Sequence, residues 1–168
     1  MTKIIITGPE SSGKTTLCKS LSEHLNIPFI EEFSRKYLNK QNGKYTQPDL
    51  ISIAKGQLFK EQINEEILIC DTDLITIKIW SEYKYSSCDN WILEQIEKQK
   101  TENRFYLLCK PDIPWEADPL RENPTNRGEL FKIYKGELEK LHHNYFIVEG
   151  EERIKNSISK ISNLTSNN

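Results

Sequence analysis

Eight consecutive residues, Gly8-Pro9-Glu10-Ser11-Ser12-Gly13-Lys14-Thr15, satisfy the spacing G-x-x-x-x-G-K-[ST] and are followed by Thr16. A loop of this kind turns successive backbone N–H groups inward, where they cradle phosphate oxygens. A helix beginning at its end adds unpaired donors and partial positive charge. Lys14 then reaches the β- and γ-phosphates, and the Thr15 hydroxyl ligates Mg²⁺. The stretch Gly8 to Thr16 therefore reads as a triphosphate site with ATP as the expected co-substrate. A guanine-reading protein would carry N-K-x-D after its fourth strand; here Lys110-Pro111-Asp112 lacks the Asn.

Further groups with chemical potential end apolar runs. Asp71 closes Ile67-Leu68-Ile69-Cys70, the place where an acid holds Mg²⁺ opposite such a loop. The plainer role, an acid that caps the following helix, fits Asp73, two residues on, better than Asp71. Glu31 and Glu32 close Pro28-Phe29-Ile30, and one of them could accept a proton from an acceptor hydroxyl. Neighbouring residues on a strand point oppositely, so a single carboxylate is expected to face the site. Phosphoryl transfer asks the protein mainly to position groups and neutralise charge. Arg121 and Arg127 sit in a segment broken by Pro111, Pro114, Pro119 and Pro124, from which they could close over the phosphates and exclude water. Trp80 and Trp115 follow strands three and four. Either could stack on an aromatic or cationic ring, the latter with an added gain of about 0.5–2 kcal/mol; Trp115, in an irregular segment, is preferred, and Trp80 is expected to pack in the core.

These residues need a scaffold. Lys3-Ile4-Ile5-Ile6-Thr7 reads as a buried strand, and Leu17, Leu21 and Leu25 as the apolar stripe of a helix. Further strands fall at 28–30, 67–70, 105–109 and 145–148. The helix starting at Thr46-Gln47-Pro48-Asp49 is expected to run to about Glu65. Five buried strands alternating with helices imply an α/β fold, a parallel sheet covered on both faces in three layers. Ligands of such sheets bind beyond the carboxyl ends of the strands, which gathers the loop, Glu31/Glu32, Asp71/Asp73 and the 112–127 segment on one edge.

The chain of 168 residues suits one domain, with a lid over about 112–127 and a frayed tail over about 163–168. The net charge of -2 announces no nucleic-acid surface, and no apolar run suggests a membrane span. Cys18, Cys70, Cys88 and Cys109 are widely spaced, which points to reduced thiols and a cytoplasmic protein. Composition is silent on oligomeric state.

Four blocks together resemble the kinase domain of the NadR family of NAD-biosynthesis proteins. They are Gly8-Pro9-Glu10-Ser11-Ser12-Gly13-Lys14-Thr15-Thr16, Glu32-Phe33-Ser34-Arg35-Lys36-Tyr37, Cys70-Asp71-Thr72-Asp73 and the nine residues from Ile113 to Arg121. The resemblance spans about residues 1 to 160. It implies a P-loop, nucleoside-kinase-like fold with sheet order 2-3-1-4-5, and transfer of the ATP γ-phosphoryl group to ribosylnicotinamide, a small cationic nucleoside. It favours Glu32 over Glu31 and places Arg35, Asp73 and Asp118 beside the acceptor, with Arg121 as the lid arginine. The family's D-G-L-R reads Asp118-Pro119-Leu120-Arg121 here, and Glu31 stands where multifunctional members carry an aromatic. Those members also carry further domains ahead of the kinase, so neither NAD synthesis nor repression is expected of this chain. The alternatives are a kinase for another nucleoside or vitamin alcohol, and a P-loop ATPase acting as a nucleotide-dependent switch.

Overall fold

Strand β1 (Thr2–Thr7) runs through the middle of a five-stranded sheet ordered β2-β3-β1-β4-β5, every pair parallel. The computed structural model describes residues 1–165. The remaining elements are α1 (Lys14–Leu25), β2 (Phe29–Ile30), α2 (Phe33–Lys40), α3 (Gln47–Lys60), β3 (Ile67–Asp71) and α4 (Leu74–Tyr85). They continue with α5 (Asn90–Gln99), β4 (Asn103–Cys109), α6 (Arg127–Lys140), β5 (Asn144–Val148) and α7 (Arg153–Thr165). The five-stranded, doubly covered sheet and its order are those expected, and α7 reaches Thr165; the rest of the expected frayed tail lies outside the described residues.

Alternation along β1 divides the core. Ile4 and Ile6 pack with Leu17, Leu21 and Ile161 under α1 and α7. Ile5, on the opposite face, packs with Ile53, Ile75 and Leu130 under α3, α4 and α6. A strand apolar on both faces is buried on both, which explains the unbroken Ile4-Ile5-Ile6 run. Cys18, Cys70 and Cys109 are buried and unpaired, as small apolar fillers.

Helix starts follow the sequence signals. The Asp49 carboxylate accepts from the Thr46 N–H at 2.7 Å, closing a capping box with Pro48 in the first turn of α3. Asp73 and Asp89 cap α4 and α5 by accepting from the N–H groups of Ile75 and Trp91. Strand ends shift by one or two residues, and α3 differs most: it stops at Lys60, not near Glu65. The reason is Glu61, whose buried carboxylate pairs with Lys3 at 3.1 Å and Arg104 at 2.6 Å on the starts of β1 and β4. Burial raises the pKa of that carboxyl, against the pull of Arg104. The chain turns there to satisfy the pair.

Two glycines at the carboxyl edge are dictated by the backbone, Gly8 by close approach and conformation and Gly13 by conformation. A Cβ on Gly8 would lie 2.6 Å from the Cys109 carbonyl, and both Gly8 and Gly13 have positive φ, 133° and 83°. Between Cys109 and Arg127 the chain forms no helix or strand and folds back over this edge.

Candidate active site

A pocket of about 540 Å³ opens beyond the ends of β1 and β3. Its floor is the loop from Gly8 to Gly13, which hands its last residue directly to α1. The loop is internally braced: the Ser12 hydroxyl donates to the Pro9 carbonyl at 2.8 Å, and the Lys14 ammonium donates to Gly8 and Pro9 carbonyls at 3.0 and 2.8 Å. The Thr15 hydroxyl donates to Asp71 Oδ2 at 2.6 Å. The two residues predicted to share a cation are thus in contact.

Asp71 is buried, and its second oxygen, Oδ1, has no partner. Burial chiefly, then the charge of Glu32, pushes its pKa from 3.8 up to about 6, with Lys14 pulling the other way. A buried unpaired carboxylate oxygen beside a hydroxyl is a hard donor set, the kind that Mg²⁺ shares with phosphate oxygens. Among the described residues no group of three or more His, Cys, Asp or Glu could hold a metal by itself.

The two acids of the D-T-D block part company. Thr72 between them has φ 70°, a left-handed turn that separates Asp71, which meets Thr15 of the loop, from Asp73, which meets Arg104 and Tyr106 of β4. Asp73 is fully buried, accepting from Ile75 N–H, from the Tyr106 hydroxyl at 2.7 Å and from Arg104 at 3.3 Å. Expected beside the acceptor, Asp73 instead caps α4 and neutralises Arg104, so its carboxylate is spoken for.

Opposite the loop, Glu32 lines the pocket at the start of α2, with the Ser34 hydroxyl donating to its Oε1 at 2.5 Å. Glu31 is exposed and outside the lining. Arg35 is on the rim and pairs with Asp118 at 2.9 Å, linking α2 to the 110–126 segment; Asp118 itself is outside the lining. Trp80 lines the wall and donates its indole N–H to the Tyr45 hydroxyl at 2.8 Å, with the rings edge to face at 4.8 Å. Trp115 does not line the pocket. Its ring lies 5.9 and 5.7 Å from the guanidinium groups of Arg121 and Arg127, so it supports cations, not an acceptor ring.

Arg121 lines the pocket and donates to the Glu116 carbonyl and, at 3.5 Å, to the Ser11 hydroxyl. Arg127 opens α6 and donates to the Ser11 and Ile113 carbonyls, both at 3.0 Å; it braces the loop from outside. The Glu10 carboxylate accepts from the N–H groups of Glu122 and Asn123. The loop and the segment above it are thereby stitched together.

Three features escaped the sequence reading. Lys84 donates to Tyr45 at 2.6 Å and to Glu122 at 2.8 Å, and shares the pocket wall with Trp80, four residues before it. That helical spacing was the available signal. Tyr45, on the connection before α3, donates to Glu122 at 2.7 Å and carried no signal. Arg153 follows β5, donates to the Ser12 carbonyl at 2.9 Å and pairs with Asp112. The strand-end rule that gathered the other loops, extended to the fifth strand, would have found it.

The glycine loop, the Thr15–Asp71 contact and the sheet order define a nucleotide-binding protein with a P-loop kinase fold. A family model described as an AAA domain matches residues 3–153, and the chain belongs to that family. It is 27% identical over 161 residues to the trifunctional NAD biosynthesis/regulator protein NadR of Escherichia coli (strain K12). That match covers 89% of this chain and 38% of the relative, so the chain spans well under half of that relative's length. A crystal structure of NadR protein in complex with NR superposes with a TM-score of 0.72 at 21% identity, over 96% of this chain and 51% of that one. Deoxyadenosine kinase from M. mycoides superposes at 0.65 with 18% identity, covering 99% of this chain and all of the other. The kinase-type fold expected from the sequence is therefore shared across proteins of quite different sequence. Among the described residues no helix is long and apolar enough to cross a membrane.

Proposed function

We propose that this protein is an ATP-dependent kinase that phosphorylates the ribose 5′-hydroxyl of ribosylnicotinamide, giving nicotinamide mononucleotide. The observation that carries this reading is a single pocket with the phosphate loop on one side and Glu32 with Trp80 on the other. The similarity to NadR over most of the chain supports the choice of acceptor. A pyridinium ring is a flat cation, and an indole wall with a carboxylate nearby offers it both stacking and charge.

Lys14 leaves the Gly8 and Pro9 carbonyls to meet the β- and γ-phosphates. Thr15 and the free Oδ1 of Asp71 would hold Mg²⁺, which neutralises charge on the phosphates when bound. Glu32 accepts the proton of the 5′-hydroxyl as its oxygen attacks the γ-phosphorus, and the bond from that phosphorus to ADP breaks. The 112–127 segment serves as a lid. Arg121, already at the rim, brings positive charge to the transferring group, and the closed segment excludes the water that would otherwise be phosphorylated. The reaction involves no nucleic acid, which the net charge of -2 supports, and is cytoplasmic, which the unpaired cysteines support.

The test is purified protein with ATP and a panel of nucleosides and vitamin alcohols. ADP release that depends on ribosylnicotinamide, with nicotinamide mononucleotide as product, is expected. Release with another acceptor alone transfers the reading to that substrate, and acceptor-independent hydrolysis favours a nucleotide switch.

A further inference from the structure

Gln57 lies on α3, outside the pocket lining, and only 1% of it is exposed. Both ends of its amide are committed to the main chain of the two segments that bring acids to the site. Its Oε1 accepts from the Phe33 N–H at 2.9 Å, at the first residue of α2 and directly after Glu32. Its Nε2 donates to the Thr72 carbonyl at 3.3 Å, on the left-handed residue directly after Asp71.

A helix start leaves its first N–H groups without intrahelical partners, and the Glu32 side chain does not cap α2. Gln57 supplies that missing acceptor from another helix. Gly56 beside it makes the approach feasible, since a Cβ there would fall 2.2 Å from the Phe33 ring. The start of α2 is therefore held against α3 at two neighbouring residues, by the Gln57 amide through main chain and by close ring contact at Gly56.

We propose that Gln57 is a positioning residue for phosphoryl transfer, a strut that fixes the start of α2, and with it Glu32, against the turn that carries Asp71. It acts through Glu32 and rests on the role given to Glu32 above. Such a strut decides whether the base sits in line with the attacking oxygen, where a misplacement of one ångström is enough to cost about a hundredfold in rate.

Gln57→Met keeps the length and volume of the side chain while removing both bonds, which separates the strut from packing. Turnover is expected to fall by roughly tenfold to a hundredfold with the KM for ATP changed by less than about twofold. Gln57→Glu provides the rescue. A neutral carboxyl has the same reach, an acceptor oxygen and an O–H donor, so it can restore both bonds. Ionisation of that carboxyl removes the donor to the Thr72 carbonyl, so turnover relative to wild type at the same pH is expected to be highest at low pH and to fall as pH rises. The nearest acids along these segments, Glu61 on α3 and Asp73 after Thr72, are both held by Arg104, and Lys3 also holds Glu61. Lys60 on α3 lies 5.9 Å over the Phe33 ring, and Glu32, Lys14 and Arg35 are the charges that act on Asp71.

A second readout needs no substrate. In the nucleotide-free protein the Phe33 amide should exchange with solvent at least about tenfold faster in Gln57→Met than in wild type. Wild-type turnover in Gln57→Met, or unchanged exchange at Phe33, overturns the proposal. Absence of ribosylnicotinamide turnover in the wild-type protein would overturn the substrate reading alone, and the exchange measurement would still decide the strut.

Discussion

The floor of the pocket is built from one short segment, while its far wall borrows Glu32, Trp80, Lys84 and Glu122 from three separate stretches of chain. On the floor, function resides in main-chain direction: glycine conformations, a helix start and two adjacent side chains. On the wall it resides in side chains that meet only because α2, α4 and the 110–126 segment converge. The wall also holds itself together, since the Tyr45 hydroxyl touches Trp80, Lys84 and Glu122 at once. A floor made this way tolerates change around it; a wall made this way transmits change from one contributor to the next.

Substitutions on the two sides should separate accordingly. The largest effect is expected from Lys14→Ala, which removes the phosphate-reaching ammonium while leaving the loop backbone in place. Transfer should fall on the order of a thousandfold with the circular dichroism spectrum unchanged. Glu32→Gln should lower turnover by about a hundredfold while ATP affinity, read by calorimetry, stays within about twofold. Glu31→Gln, on an exposed side chain, should behave as wild type; a loss there would move the base one residue back. Arg121→Ala should lower turnover by about tenfold with a modest change in acceptor KM. If turnover is untouched, the lid segment carries no charge to the reaction.

The smallest effect is thermodynamic. Folded Asp71 holds its proton up to about 6, against an ordinary value of 3.8, so the folded state binds more protons than the unfolded one between those values. Its ionisation therefore takes stability away as pH rises through that window. Glu32→Gln removes the charge that adds to burial, so in melting scans from pH 4 to 7 the variant should lose less stability on the way up. The same loss in both proteins would show that the two carboxylates do not communicate.

How much of this was legible in the chain follows the same division. The floor, the strands and the caps at Thr46 and Asp73 could be read because each depends on neighbours in sequence. Asp73 was visible as an acid at a strand end, but its commitment to Arg104 and Tyr106 depends on β4, some thirty positions away. Trp115 looked like a stacking residue because its segment is irregular, yet that segment gives it two arginines as neighbours. The end of α3 depended on Glu61 meeting Lys3 and Arg104 across the sheet. Tyr45 and Gln57 are anonymous in sequence, since what they do is fixed by partners the local pattern does not name.

The protein's three tryptophans happen to sample the two sides and a control. Trp80 forms part of the pocket's far wall, Trp115 rests against Arg121 and Arg127, and Trp91 stands apart on α5 with Lys55 for company. An indole's emission responds to the field and the quenchers around it, so each ligand should leave its own optical mark. Nucleotide that draws the arginines inward would alter the light from Trp115, and acceptor the light from Trp80. The order in which the two halves fill could then be followed in real time, without attaching a dye.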